Sequence, residues 1–128
     1  MKINPVSIVA RPIVAFLTLV TLIVFPSSSA FATQVDPVDF SEDGSYPSTV
    51  FVSLSTTTSG ATIFYIVGQY TYPADPTHNG STPINCQVYN GTPIGVPNGT
   101  RRFIKALAYK DGMTDSIVTS YEVDNTGL

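Results

Sequence analysis

Apolar and polar residues alternate with a period of two through much of the chain after residue 32, in short runs separated by Gly, Pro, Asn, Asp and Ser. This alternation is typical of β-strands with one buried face, and no stretch after residue 32 repeats its apolar residues at helical spacing. The clearest runs are "TVFVSLST" (49–56), with Val50, Val52 and Leu54 on one face, and "ATIFYIV" (61–67). We expect these two strands to form a hairpin across the "TTSG" turn.

The stretch "FIKALAYKDGMTDSIVTSYEV" (103–123) predicts a second hairpin that turns at Asp111-Gly112. One face of its first strand carries Ile104, Ala106 and Ala108, and we expect that face to be buried because small alanines let an opposing sheet approach closely. The return strand repeats the alternation at positions 117, 119, 121 and 123. Gly112 supplies the positive φ that such a turn requires.

The remaining strand signals are weaker. "VDPVDF" (35–40) predicts a first edge strand, since Pro37 cannot donate a ladder hydrogen bond. Short strands are expected in "NCQVYN" (85–90) and "PIGV" (93–96), with the Pro-rich rest of 68–100 as surface loop. About seven short strands predict an all-β, immunoglobulin- or fibronectin III-like antiparallel β-sandwich. The chain has no Trp and one Cys, which favours the fibronectin type because the Cys…Trp…Cys core is missing.

Residues 1–32 have the features of a signal peptide. Lys2 and Arg11 precede an apolar run (12–25) that ends at Pro26, and Ala30 and Ala32 form an A-x-A cleavage site. We expect cleavage after Ala32 to leave one domain, residues 33–128, that is secreted or extracytoplasmic, in the periplasm or at the cell surface. The alternative is an uncleaved anchor, but the apolar run is shorter than the about 20 residues of a spanning helix. We therefore expect no stable membrane insertion after cleavage.

The charge and the cysteine content of residues 33–128 limit the classes of partner and the covalent links that we expect. Residues 33–128 hold 4 basic and 9 acidic residues, a net charge of −5, which argues against a nucleic-acid partner. All four cations fall on one predicted strand, which is read either as a solvated face or as a small cationic strip; they are Arg101, Arg102, Lys105 and Lys110. Cys86 is the only cysteine, so no internal disulfide forms, and both burial and pairing between chains stay open.

The sequence offers little reactive chemistry. His78, the only histidine, lies in the run of turn formers "DPTHNG", where we expect it to be solvated, and the paired carboxylates also lie in turns. We predict no catalytic residue, no metal site and no cofactor, and hence no enzyme. Asn79, Asn90 and Asn98 each begin an N-glycosylation acceptor pattern, which matters only in a eukaryotic source.

Tyrosines are the candidate ligand-binding residues, because the apolar face of a sugar ring packs on an exposed aromatic ring. Tyr70 and Tyr72 are two residues apart in "QYTYP" and are predicted to point to the same side of an extended loop, and Tyr89 is a third candidate. The competing interpretation is that all three cover the end of the sandwich as packing.

Two segments, "PVDFSEDGSYPSTVFVSLSTTTSGATIFYIV" and "IKALAYKDGMTDS", resemble the chitobiase/β-hexosaminidase C-terminal type of β-sandwich. The resemblance implies a secreted or surface accessory domain, commonly appended to carbohydrate-active enzymes, with no catalytic residues to carry over. Polysaccharide binding is one functional hypothesis. The other is a structural or protein–protein module (adhesion element, spacer or assembly subunit) with a surface-protein partner. The sequence leaves the oligomeric state open.

Overall fold

A computed structural model of the protein describes residues 31–128. The predicted signal peptide therefore lies, except for Phe31 and Ala32, outside the described residues. The strands are β1 (Asp39–Asp43), β2 (Val50–Ser55), β3 (Thr62–Gly68), β4 (His78–Asn79), β5 (Thr82–Pro83), β6 (Gln87–Val88), β7 (Ile94–Val96), β8 (Thr100–Tyr109) and β9 (Thr119–Asn125). Residues 31–128 contain no helix with the length and hydrophobicity needed to cross a membrane.

Seven of these strands form two antiparallel sheets, ordered β1-β2-β7 and β6-β3-β8-β9, while β4 and β5 make a separate two-stranded hairpin. One hydrophobic core joins residues of both sheets; its most deeply buried members are Val52, Val96, Ile104, Ala106 and Ala108. The three-plus-four arrangement confirms the predicted all-β, fibronectin III-like sandwich of about seven strands.

The prediction that β2 and β3 form a hairpin was wrong. β2 pairs with β1 and β7, whereas β3 pairs with β6 and β8 in the opposite sheet. The connection is fastened to the residues before β1, since Thr56 Oγ1 donates to the Asp36 carbonyl at 2.9 Å and Asp36 N donates to Thr58 Oγ1 at 2.9 Å. The chain therefore crosses between the sheets, and the apolar faces of β2 and β3 meet through the core.

The first strand begins later than predicted. Residues 33–38 form an N-terminal arm, in which Val35 and Val38 are 1% and 2% exposed and contribute to the core. Val35 N donates to Thr114 O at 2.9 Å, and Thr114 N donates to Thr33 O at 3.1 Å. Pro37 thus precedes β1 rather than interrupting it, and β1 lies at one edge of its sheet, with β7 at the other.

The closing hairpin follows the prediction on β8 and departs from it on the return. Ile104, Ala106 and Ala108 are fully buried between the sheets, and Gly112 has a φ of 80° in the predicted turn. The β8–β9 ladder ends at Ala106 and Thr119, however, so Ile117 lies before β9 rather than in the return strand, and it is 59% exposed. Ser116 is buried in its place, because its amide donates to Ala108 O and its hydroxyl accepts from Ala108 N.

A second apolar cluster lies on the outer face of the four-stranded sheet. Phe64 and Leu107 pair across β3 and β8 on that face, yet they are 0% and 6% exposed. Residues 69–86, which we call the covering segment, contribute the buried Pro76 and the ring of His78, stacked on Phe64 at 4.7 Å. The predicted surface loop is therefore a packed layer at these positions.

Candidate functional site

A groove of about 430 Å³ lies where the covering segment begins, at the end of the four-stranded sheet. Gln69 and Tyr70 line one side, and residues 99–103 at the start of β8 line the other. The Tyr70 side chain is an exposed aromatic group, with 90% of the residue surface open to solvent. The groove therefore combines an exposed phenol ring with a wall built on a long central strand.

Local sequence explains how the groove forms. Gly68 and Phe103 are the last pair of the β3–β8 ladder, while β8 continues alongside β9 to the pair of Thr100 with Asn125. The chain bends sharply after Gly68, where a Cβ atom would lie 2.3 Å from Thr71 O. Any other residue would force this bend open, so glycine places Tyr70 beside the uncovered end of β8.

Two adjacent arginines give the groove its charge. Arg101 is held by carboxylates of β9, since its Nη2 donates to Asp124 Oδ2 and its Nε lies 3.3 Å from Glu122 Oε1. The hydrogen bond and charge of Asp124 raise the pKa of Arg101, and hydrogen bonds from Thr126 first, then Arg101, lower the pKa of Asp124. Arg102 instead donates from Nη1 to the Arg101 carbonyl at 2.8 Å, and no carboxylate of residues 31–128 forms an ion pair with it.

The three predicted tyrosines separate in the structure. Tyr72 is 42% exposed and packs edge-on against Phe103, with ring centroids 4.9 Å apart, so Phe103 contacts Tyr72 and also lines the groove with Tyr70. Tyr89 packs instead against the core and the edge of the Tyr65 ring. The structure thus relates Tyr70 and Tyr72 through Phe103 and places Tyr89 in the packing between the sheets.

Phe103 and Arg102 were not predicted as site residues. The run of four cations on one predicted strand could have identified Arg102, but the sequence fits both a solvated strand face and a small cationic strip there. The strip itself is divided in the structure, because Lys105 Nζ lies 2.6 Å from Asp75 Oδ1 and Lys110 Nζ donates to Ser59 O at 2.8 Å.

His78 is not solvated, contrary to expectation. Only 9% of its side chain is exposed, and its ring is stacked on Phe64 and tilted against Tyr109 at 4.9 Å. Nδ1 lies 2.8 Å from Gly80 O and Nε2 lies 2.9 Å from Asp115 Oδ2. The turn-forming residues around it determine the backbone path but not which side faces the protein, so His78 fastens the covering segment to the sheet.

The other candidate chemistry is dispersed. Within residues 31–128, no three or more His, Cys, Asp and Glu side chains are grouped to hold a metal ion. Cys86 is partly buried and its Sγ donates to Thr77 O at 3.2 Å, while Asn79, Asn90 and Asn98 are all exposed.

The part of the sequence that forms most of the strands and all of the groove matches one sequence family. The family model of the chitobiase/beta-hexosaminidase C-terminal domain matches residues 41–120, from β1 to the beginning of β9 and well over half of the chain. The chain belongs to this family. No curated protein and no solved structure matches it. As a chitobiase/beta-hexosaminidase C-terminal domain, the protein is an accessory type of β-sandwich, and the matched range includes the covering segment with Tyr70 and Tyr72.

Proposed function

We propose that the protein is an exported, non-catalytic β-sandwich domain that binds polysaccharide in the groove between Tyr70 and the start of β8. The observation that carries this proposal is the position of Tyr70, which is 90% exposed beside a groove of about 430 Å³. An exposed aromatic ring beside a groove offers apolar area that a ligand can cover, and sugars present apolar faces of suitable size.

The lining residues suit this class of ligand. Tyr70 and Phe103 offer aromatic surface, while Gln69 and Thr100 offer amide and hydroxyl groups for the equatorial hydroxyls of a sugar. Binding sites commonly place loop residues against a rigid scaffold, and here the scaffold is β8, which pairs with both β3 and β9.

Export is supported by the position at which the folded domain begins. Phe31 and Ala32 are exposed, and the first hydrogen bond of the N-terminal arm uses Thr33 O. Cleavage after Ala32 would remove none of the described contacts of the arm. Mass spectrometry of exported protein should detect a chain that starts at Thr33.

Retention on insoluble chitin and cellulose tests the binding proposal. Tyr70→Ala should reduce the retained fraction several-fold, since stacking contributes on the order of 1 kcal/mol per ring, without lowering the melting temperature. Tyr46→Ala is the matched control, because Tyr46 is also exposed (54%) but lies outside the groove. Equal retention of wild type and Tyr70→Ala on every polysaccharide would contradict the proposal.

The second candidate function is a protein–protein module, and β9 is the observation that favours it. Within residues 31–128, β9 is at the edge of its sheet and pairs with β8 alone, so its other side can accept a strand from a partner. This alternative predicts that the protein is not retained on polysaccharides. It also predicts that the protein associates with itself or captures a surface protein, and that a proline within β9 abolishes this association.

A further inference from the structure

We propose that the groove selects an acidic glycan, in which Arg102 binds the carboxylate of a uronic acid while Tyr70 stacks on a sugar ring. This inference rests on the proposed polysaccharide-binding function and specifies its ligand class. It follows from the different surroundings of the two adjacent arginines rather than from the total charge of the domain.

Arg101 and Arg102 leave β8 on opposite faces, as successive strand residues do. Arg101 pairs with Asp124 and Phe103 pairs with Glu122, so both carboxylates lie on the face of Arg101. Arg102 pairs with Val123 on the other face. The carboxylates of Glu122 and Asp124 therefore offset the charge of Arg101, whereas no carboxylate of residues 31–128 forms an ion pair with Arg102.

The remaining acidic residues lie elsewhere in the sandwich. Four of the nine belong to β1 or the arm before it, in the other sheet; they are Asp36, Asp39, Glu42 and Asp43. Asp75 and Asp115 are engaged with Lys105 and His78. Asp111 lies in the turn that follows β8. The domain is acidic overall, but the groove contains a guanidinium with unused donors, which favours an anion there.

A guanidinium beside an aromatic ring matches the chemistry of a uronate. The planar fork of arginine donates two parallel hydrogen bonds to a carboxylate, which a neutral sugar cannot accept in that geometry. Nη1 of Arg102 donates one hydrogen bond to the Arg101 carbonyl. The other N–H groups of its guanidinium have no hydrogen-bond acceptor within residues 31–128 and can bind a ligand. Of these two groups, a neutral glycan would use the ring of Tyr70, whereas a uronate would use the ring and the guanidinium of Arg102.

The test compares two polymers with the same sugar backbone, polygalacturonate and its methyl ester, in which a methyl ester replaces the charged carboxylate. Affinity of the protein for each is measured by titration calorimetry at low ionic strength, where the electrostatic contribution is largest. We expect the acid form to bind about ten-fold more tightly than the ester, which corresponds to one charge-assisted hydrogen-bonded contact. Arg102→Gln should remove this preference, and Lys110→Gln, which changes the same charge outside the groove, should keep it.

The outcomes separate this inference from the proposed function. Equal affinity for acid and ester, with both weakened in Tyr70→Ala, would retain polysaccharide binding and overturn the acidic selectivity. Equal effects of Arg102→Gln and Lys110→Gln would also overturn it, since diffuse charge would then explain the preference. No binding to any polymer, neutral or acidic, would overturn both proposals. If Arg102→Gln fails to fold, Arg102→Lys should show a reduced preference because lysine cannot form the bidentate contact.

Discussion

His78 and Asp115 are joined across the outer face of the four-stranded sheet, with Nε2 and Oδ2 2.9 Å apart. The other ring nitrogen, Nδ1, lies 2.8 Å from the Gly80 carbonyl oxygen, so each ring nitrogen has an oxygen partner. Because the ring is also stacked on Phe64, this single contact connects the covering segment to the turn before β9 and to β3.

Asp115→Ala should lower the free energy of unfolding by about 1–3 kcal/mol, since it leaves Nε2 of a largely buried ring without its hydrogen-bond partner. Urea denaturation measures the change. Asp111→Ala is the control, because Asp111 is exposed in the same turn and should change stability by less than about 0.5 kcal/mol. If the two variants unfold at the same urea concentration, the His78–Asp115 contact does not stabilise the fold.

Asn125 predicts a larger effect. Its side chain is 1% exposed, and Nδ2 donates to the carbonyls of Ser48 and Val96, which ties β9 to β7 and to the turn before β2. Asn125→Asp keeps the shape but turns a donor into a charged acceptor facing two carbonyl oxygens, so we expect a loss of several kcal/mol. Asn79→Asp makes the same change at an exposed site and should leave the melting temperature within a few degrees. A small effect of Asn125→Asp would show that this tie is not needed.

Tyr121 predicts a pH dependence on the alkaline side. Its hydroxyl donates to Glu42 Oε1 at 2.9 Å, and burial first, then Glu42, raises the pKa of Tyr121. A raised pKa means that the folded state holds the proton more tightly than the unfolded state. The contribution is therefore complete below about pH 10 and is lost as the pH rises through the folded-state value.

Tyr121→Phe should reduce this alkaline loss, while its ring keeps the stacking on Phe40, whose centroid lies 4.9 Å away. Thermal melts between about pH 8 and 11 give the two profiles. Parallel profiles for wild type and Tyr121→Phe over this range would contradict the assignment.

Ala106 tests how closely the two sheets approach. It is fully buried on β8, so Ala106→Asp would place an unpaired charge in the core and should cost several kcal/mol or prevent folding. Ala106→Val is the milder variant, which we expect to destabilise by about 1–3 kcal/mol through overpacking. Ser120→Asp on the exposed face of β9 is the control. A melting temperature of Ala106→Val at or above that of wild type would indicate spare space at this position.

Sequence patterns predicted strand faces well and strand partners poorly. Val50, Val52 and Leu54 face the core as the alternation indicates, but a period of two does not tell a neighbouring strand from one in the opposite sheet. The β2–β3 connection is short enough for a hairpin, and its hydrogen bonds with Asp36 come from residues about 20 positions away. Contacts between residues so far apart in the chain cannot be predicted from the local alternation of apolar and polar residues.

Only one of the groove-lining residues, Tyr70, was among the candidate site residues that the sequence suggested. It was proposed with Tyr72 as a pair of sugar-stacking aromatic residues on one side of an extended loop. Arg102 was not distinguished from Arg101, because the difference lies in which residue of β9 each one pairs with. The prediction for His78 was wrong because turn formers describe the path of the backbone, whereas its burial depends on Phe64 from β3.

The cross-sheet path of the chain also has a consequence for how the domain folds. Tyr65 of β3 pairs with Ala106, about forty residues later in the chain, and Val52 of β2 pairs with Ile94 at a similar separation. Loops of this length must close before either ladder yields any stabilisation, so we expect slow, highly cooperative folding with nucleation only after β8 is available. A fragment that ends before Thr100 would lack the central strand of the larger sheet and should remain unstructured in solution.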